Sequence, residues 1–516
     1  MTLLARLVEA SERVGAVSSR LTKVRELAQL LRELEPAEVP TGVLYLSGEL
    51  AQGRCGIGPS ALRAAQAAPA AEAPTLSLAE VDGRISEIAK LCGKGVAARR
   101  TAALHELFAR ATGAERNFLA RLLIGELRQG ALAGVMTDAI ALAAEVPIDA
   151  VRRASMYAPH IGAVAQAALN PAGGGFAQFR LEVLSPIAPM LAQTAADPAD
   201  ALRQLGAVDI AWEWKVDGAR IQAHKSGATV RIYTRNLNEV GASLPEIVQQ
   251  VQALSTNELV LDGEAVAYDA AGRPYPFQVT MRRFGRKLDV DRLRSELPMR
   301  AFFFDCLRLD DQSLADRPAR ERFQALDVAV PEALRIPRLV AASLDDAQAF
   351  YDAALAAGHE GVMAKALDSP YEAGNRGASW LKIKRAHTLD LVVLAAEWGH
   401  GRRTGTLSNL HLGAIDPATG EYVMLGKTFK GLTDRTLTWQ TEALLAREVR
   451  RDDMTVYVRP ELVVEIAFSD LQASPRYPGG LALRLARVKR YRDDKTADQA
   501  DTMETVRRIF ASQGAA

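Results

Sequence analysis

The sequence predicts a multidomain chain with an all-α N-terminal part, a mixed α+β middle and a small all-β C-terminal domain. Three observations predict it. The 516 residues exceed what one hydrophobic core supports. Residues up to about 180 are rich in Ala, Leu and Arg at helical spacing. From Asp209 onward, short runs of β-branched and aromatic residues replace that periodicity. The composition shifts near 180 and again near 386, giving expected domains 1–180, 181–386 and 387–516.

In the first part, Thr22-Lys23-Val24-Arg25-Glu26-Leu27-Ala28-Gln29-Leu30-Leu31-Arg32 repeats apolar residues three and four apart, the period of an amphipathic helix. Ala/Pro-rich residues 64–77 read as a loop, and Pro171-Ala172-Gly173-Gly174-Gly175 as a flexible connector. In the middle part, strands are expected over 210–216, 229–234, 259–268 and 301–304, with helices at 244–254 and 344–357 between them. The last part carries expected strands at 391–395, 422–427 and 462–467, and a helix after about 496 that ends in small residues. No internal repeat is present.

Composition excludes several classes. Apolar residues at 48% and charged residues at 24% are those of an ordinary globular protein, not a disordered one. The formal charge of +1 gives no whole-chain attraction to nucleic acid, so local clusters must supply any. Cys55, Cys92 and Cys306 are odd in number and far apart, which fits reduced thiols better than a disulfide framework or a zinc site, and predicts a cytoplasmic location. Charged Arg6 and Glu9 follow Met1 closely and no run of about 18 apolar residues occurs, so neither a signal peptide nor a membrane span is expected.

The chemistry centres on Lys215, in Glu213-Trp214-Lys215-Val216-Asp217-Gly218-Ala219-Arg220. An unprotonated lysine amine can attack a phosphorus and carry a nucleotide as a phosphoramidate, provided neighbouring cations lower its pKa from about 10.4. Arg220 and Arg235 offer planar forks for phosphate or ribose oxygens, although either alone is more often a salt-bridged surface arginine. Leu261-Asp262-Gly263-Glu264 sets a carboxylate after a strand; in isolation the tetrapeptide also reads as a hairpin turn. Phe304 offers a ring face to a purine, where a phenylalanine in an apolar run is usually core. Glu360-Gly361-Val362-Met363-Ala364-Lys365 adds a second carboxylate. Trp380-Leu381-Lys382-Ile383-Lys384 puts two lysines on one face of a strand, a pattern that a half-exposed strand would equally produce. Order and company decide among these readings: Lys215, Arg220, Arg235, Glu264, Phe304, Glu360, Arg376, Lys382 and Lys384 rarely co-occur in such contexts by chance. A phosphate loop at Gly420-Glu421-Tyr422-Val423-Met424-Leu425-Gly426-Lys427-Thr428 is disfavoured, because five residues rather than four separate the glycines and the stretch reads as a strand.

With these motifs in view, the chain resembles the ATP-dependent DNA ligases of the covalent nucleotidyltransferase superfamily. Lys-x-Asp-Gly-x-Arg at 215–220 resembles that superfamily's first motif, residues 261–264 its third, 302–305 the next, 360–365 the fourth and 380–384 the fifth. Leu483-Arg484-Leu485-Ala486-Arg487-Val488-Lys489-Arg490-Tyr491-Arg492-Asp493-Asp494-Lys495 resembles the last ligase motif. The likeness runs from about 180 to 500. Leu123-Ile124-Gly125-Glu126-Leu127-Arg128-Gln129-Gly130 and Pro186-Ile187-Ala188-Pro189-Met190-Leu191-Ala192 resemble, more weakly, the helical DNA-binding domain of larger ligases. The layout as a whole is similar to bacterial three-domain enzymes.

The resemblance implies a helical DNA-binding domain, a nucleotidyltransferase (adenylation) domain and an OB-fold domain. It implies ATP and Mg2+ as cofactors, with Mn2+ a substitute, and nicked double-stranded DNA as partner of a monomer without membrane contact. Lys215 would take AMP from ATP, pass it to the 5′-phosphate of a nick, and the 3′-hydroxyl would displace it. Glu213 would hydrogen-bond the adenine, Phe304 stack on it and Glu264 hold the ribose, with Arg220, Arg235, Arg376, Lys382 and Lys384 as further nucleotide contacts. Glu264 and Glu360 would hold the metal. Arg484, Arg487 and Lys495 would orient pyrophosphate once the last domain closes about a hinge near 384–390. Phosphate contacts on DNA are expected from Arg282-Arg283-Phe284-Gly285-Arg286-Lys287 and from residues around Arg128 and Arg152-Arg153, with a steep salt dependence. The alternatives are an RNA ligase or capping-type guanylyltransferase of the same superfamily, or a non-catalytic DNA-binding relative. An NAD-dependent relative is disfavoured, since three scattered cysteines cannot build its zinc cluster.

Overall fold

The computed structural model describes the chain apart from residues 54, 68, 128–132, 171–173, 207–208, 270–271, 276, 285–289, 375–376, 385–386 and 513–516, and apart from the side chains of 59, 133, 402 and 512. It resolves into two compact units, Met1–Ala188 with Glu372–Gly374, and Pro189–Tyr371 with Asn375–Ala516.

The first unit is built of α-helices running from Leu4–Ala16 to Ile161–Leu169. The periodic stretch at 22–32 lies in the helix Arg20–Glu33, whose start is fixed by the Ser19 hydroxyl accepting from the Thr22 N–H. Its apolar stripe (Leu27, Leu30 and Leu31) joins Leu7, Phe108 and Phe118 in one core. The Ala/Pro-rich stretch is loop over only part of its expected length, since the helix Pro59–Gln66 occupies its beginning. Proline is well placed at a first helical position, where its missing N–H would be unpaired anyway. The next helix, Leu78–Lys90, begins on the Ser77 cap. Arg152 and Arg153 are exposed on the helix Ile148–Tyr157, while Arg128 lies outside the described residues.

The second unit contains two five-stranded sheets. One has the order Gln193–Thr194, Trp380–Lys384, Gly361–Ala366, Ile210–Lys215, Arg338–Ala341; the other runs Thr229–Thr234, Ala219–Ser226, Glu258–Ala267, Met299–Leu309, Gln312–Ser313. Strand Ile210–Lys215 belongs to the first and Ala219–Ser226 to the second. The Lys215-to-Arg220 segment is therefore the crossing between sheets, which puts its side chains where the two meet. The strand expected at 259–268 is present as Glu258–Ala267, and residues 261–264 lie inside it, at a register shift between Asp262 and Gly263, rather than after a strand or in a hairpin turn. The extra residue at that shift, Phe304, belongs to the partner strand Met299–Leu309, so the strand carrying 261–264 runs on. Gly263 is required, because a Cβ would stand 2.8 Å from the Phe302 carbonyl oxygen.

The C-terminal part of this unit is a seven-stranded antiparallel sheet. Its long strand His387–Trp398 pairs first with Val463–Phe468 and then with Thr455–Val458, and on its other edge with Leu407–Ile415. This sharing bends the sheet towards closure, as in the expected OB fold. The segment 420–428 forms the strand Tyr422–Thr428 and no phosphate cradle. The tail carries the helix Met503–Ser512.

Two buried arginines anchor the middle part. Arg322 and Asp305, both fully buried, make paired contacts of 2.8 and 3.1 Å, and Arg322 also donates to the carbonyls of Arg317 and Ser369. Arg283 is buried too, paired with Glu246 at 2.8 Å and donating to Leu297 O and Ser243 O. It therefore cannot belong to the expected DNA-facing patch. Arg282 is exposed, and 285–289 lie outside the described residues. A buried carboxylate stripped of its hydrogen-bonded cation is strongly unfavourable, so Arg322→Leu should destabilise this unit by about 3–5 kcal/mol. Arg322→Met combined with Asp305→Leu should recover much of that loss; chemical denaturation of the two variants checks it.

Candidate active site

A cavity of about 880 Å³ opens at the junction of the two sheets, a size suited to a nucleotide. The first sheet contributes Glu213, Lys215, Met363, Lys365, Lys382 and Lys384; the second contributes Arg220, Glu264 and Phe304. Lys382 and Lys384 both line it, so the alternation in 380–384 does put two lysines on one working face. Arg235 lines its exposed rim, and Arg376 lies outside the described residues.

At one end, Lys215 Nζ stands 2.5 Å from Glu360 Oε2, and Lys384 Nζ stands 2.6 Å from Glu360 Oε1. Gly361 makes this approach feasible. Its φ is +142°, and a Cβ there would lie 2.2 Å from the Ile383 carbonyl oxygen. The electrostatics reverse the sequence expectation for Lys215. Burial pushes its amine towards the neutral form, but Glu360, Glu264 and Asp217 outweigh that and hold its pKa above the ordinary lysine value. Carboxylates, not cations, are its nearest charges. Burial raises Glu360 too, yet Lys215 and Lys384 overcome it and bring the carboxyl down to about 2. Asp217 is raised to about 6 by burial and by the charge of Glu360, and burial takes Glu264 to about 7.

Arg220 is fixed from several sides. Its Nε and Nη2 meet the two Asp262 oxygens at 3.0 and 2.6 Å, and its Nη1 donates to Met190 O at 2.5 Å. The Tyr371 hydroxyl donates to Asp262 at 2.6 Å. At the other end of the cavity Glu213 is almost fully buried, held by Arg338 at 2.7 Å and by Lys365 at 2.5 Å. Phe304 and Trp380 form an aromatic wall, their ring centroids 6.1 Å apart, with Lys365 Nζ at 4.5 and 4.2 Å from them. The indole N–H of Trp380 is buried and has no hydrogen-bond partner among the described residues, which leaves one wall donor for a ligand.

Of the three cations expected from the C-terminal domain, one reaches the cavity. Arg484 Nη1 lies 3.5 Å from Asp217 and 3.3 Å from Asp470. Arg487 is exposed and does not line the cavity, and Lys495 is paired with Asp390 at 2.6 Å within its own domain. Asp217, Glu360 and Asp470 bring one carboxylate oxygen each within 4.8 Å of one another. Hard oxygen donors at that spacing, with Asp217 raised by the crowding, suit a divalent cation. Glu264, expected beside Glu360 as a ligand, is not in this group.

The amino-acid matches agree with this arrangement. Residues 60–141 match the family described as DNA ligase N terminus, 189–384 the ATP dependent DNA ligase domain, and 403–495 the ATP dependent DNA ligase C terminal region. A "Probable DNA ligase" of Anaeromyxobacter sp. (strain K) is 58% identical over 98% of this chain and 99% of its own length. The chain belongs to the ATP-dependent DNA ligase family. Another "Probable DNA ligase", from Sorangium cellulosum (strain So ce56), is 55% identical over 99% of this chain and 95% of its own. The solved structure "Pmar-Lig_PreS3" has a TM-score of 0.62 at 18% identity, covering 94% of this chain and 99% of that one, a likeness of fold.

Within this ligase fold, sequence reasoning missed Asp262, Tyr371, Lys365, Trp380, Arg338 and Asp470. Asp262 and Glu264 alternate with Gly263 on a strand, so period 2 puts them on one face, a signal lost when the tetrapeptide is read as a turn. Tyr371 lies 109 residues from Asp262 and had no local signal. Because Gly361 sets the approach of Glu360 to Lys215, Gly361→Ala should slow formation of any ATP-derived lysine adduct about a hundredfold, the usual cost of a misplacement near 1 Å. Single-turnover adduct formation, with circular dichroism to confirm folding, measures it.

Proposed function

We propose that this member of the ligase family seals nicks in double-stranded DNA through a lysyl-AMP intermediate on Lys215. The observation that carries the reading is the placement of Lys215 in a nucleotide-sized cavity beside Glu360. Lys215 Nζ, once its ammonium has lost a proton to water, attacks the α-phosphorus of ATP: a P–N bond forms, the bond to the bridging oxygen breaks, pyrophosphate departs with that electron pair, and the second proton shed by the nitrogen also passes to water. Glu213 accepts from the adenine amino group, Phe304 and Trp380 wall the base, and Glu264 holds the ribose. Arg220, Arg235, Arg376, Lys382 and Lys384 contact the remainder of the nucleotide, and Arg484 faces the departing pyrophosphate. Arg487 and Lys495 would serve that role only in a different domain arrangement. AMP then passes to the 5′-phosphate of the nick, and the 3′-hydroxyl displaces it.

Mg2+, or Mn2+ in its place, would be held by Asp217, Glu360 and Asp470, with Glu264 as the sequence-based alternative, and supplies positive charge to the phosphates. The carboxylates that now hold the Lys215 proton would then be shared with that charge, which favours the neutral amine. The exposed Arg152 and Arg153 would contact DNA phosphates, and nick recognition would rest on backbone and groove shape. Free thiols at Cys55, Cys92 and Cys306 fit a reducing, cytoplasmic setting.

Lys215→Ala should abolish the AMP adduct and nick sealing while DNA binding and folding persist; mass spectrometry after incubation with ATP and magnesium reads the adduct. A covalent GMP adduct formed in preference to AMP would instead favour the guanylyltransferase reading. Arg484→Ala should slow adduct formation about a hundredfold or more, as loss of a transition-state donor does, while sealing of pre-adenylated nicks falls much less. Parallel assays on the two substrates separate the effects.

A further inference from the structure

We propose that Arg338, a residue outside the cavity lining, is the positioning residue for purine selection. The inference rests on the reading that the cavity takes ATP. Arg338 opens the strand Arg338–Ala341, which flanks Ile210–Lys215 in the first sheet, with Glu213 and Arg338 directly paired in register. Its Nε and Nη2 stand 2.8 and 2.7 Å from Glu213 Oε1, and its Nη2 also donates to Phe304 O at 3.1 Å. The guanidinium carbon lies 3.6 Å from the Phe323 ring centroid, so the fork is stacked as well as bonded. One side chain thereby ties the carboxylate that faces the base to the backbone of the residue that stacks on it. Lys365 takes the other oxygen, Oε2, at 2.5 Å.

The consequence follows from donor and acceptor chemistry. An ionised carboxylate only accepts, so it pairs with the amino group at the purine 6-position and opposes a carbonyl oxygen there. Selection of adenine over guanine therefore depends on the carboxylate staying charged and fixed, because rejection comes from acceptors held against each other. Lys365, itself buried, makes a single contact and holds only Oε2, which leaves Oε1 to Arg338. Arg338 converges Nε and Nη2 on Oε1 and is itself held by Phe304 O and the Phe323 ring, so that with Lys365 on Oε2 both oxygens are pinned and Glu213 cannot turn away from a guanine oxygen. Arg338 touches no nucleotide atom in this account and acts through Glu213.

The test uses the full chain and compares lysine-adduct formation with ATP and with GTP for wild type, Arg338→Met and Arg338→Lys. Methionine keeps length and packing against Phe323 but removes charge and fork; lysine keeps the charge. Arg338→Met should raise KM for ATP more than it lowers kcat, and should cut the ATP-over-GTP ratio of kcat/KM at least tenfold. Arg338→Lys should give an intermediate ratio. An unchanged ratio, or equal losses with both nucleotides, would overturn the role of Arg338. Where Arg338→Met also lowers Tm, Arg338→Lys decides, since an intermediate ratio supports the fork and a wild-type ratio refutes it. A wild-type chain that forms no AMP adduct would overturn the nucleotide reading and this inference with it, whereas a wild-type adduct with selectivity indifferent to Arg338 overturns this inference alone.

Discussion

The site depends on Glu360 holding two lysine ammonium groups at once, Lys215 at 2.5 Å and Lys384 at 2.6 Å. Each of the three residues comes from a different part of the first sheet or its connections, and each would be costly to bury alone. The pairing makes all three affordable together and fixes Lys215 where the sheets meet. It also leaves Lys215 in its charged form, since its surroundings are richer in carboxylate than in cation. Reactivity is therefore not stored in the lysine itself. On the proposed reading it would arise when positive charge, from a metal or from arginine, is shared with the carboxylates around it.

Fixed charge is distributed unevenly along the cavity. The lysine end holds Asp217, Glu264, Glu360 and Asp470, where phosphates and metal would meet. The base end holds one carboxylate, Glu213, between Arg338 and Lys365. Between them Arg220 is tied to Asp262 and Tyr371 and cannot swing. The division resembles what pre-organisation requires: strongly oriented groups where selection happens, and exchangeable charge where bonds change.

Much of this was legible in the sequence, and the limits have physical causes. The helix at 20–33 could be read because burial of one face imposes a period on the side chains, and the strand at 229–234 because β-branched and aromatic residues gather there. Lys215, Glu360, Lys382 and Lys384 could be read because they lie in short segments whose order carries meaning. Asp262 was misjudged, since close approach of a neighbouring strand and a turn after a strand both call for glycine. Arg283 was misjudged because a run of basic residues looks solvated, while Glu246 and two carbonyls allow one of them to be buried. Arg338 lies 125 residues from Glu213 and Tyr371 still further from Arg220, distances over which only the folded sheet brings partners together.

The C-terminal domain meets the site through contacts that suit a removable lid. Arg484 stands between Asp217 and Asp470 at 3.5 and 3.3 Å, longer than the 2.5–2.6 Å contacts inside the sheet, and it leans on the Phe277 ring at 4.6 Å. A neutral, exposed hydrogen bond from Gln278 Nε2 to Gln472 Oε1, at 2.6 Å, also crosses to the C-terminal domain. Partly exposed ion pairs of this length contribute little net stability, so the domain can part from the cavity at small cost. By contrast Arg492 and Lys495 converge on Asp390 at 2.7 and 2.6 Å inside the C-terminal domain, which keeps the last motif ordered whether or not the lid is closed. The same motif thus divides its cations by function: some hold the domain's own shape, and Arg484 alone among the described residues of that motif is spent on the crossing to the nucleophile.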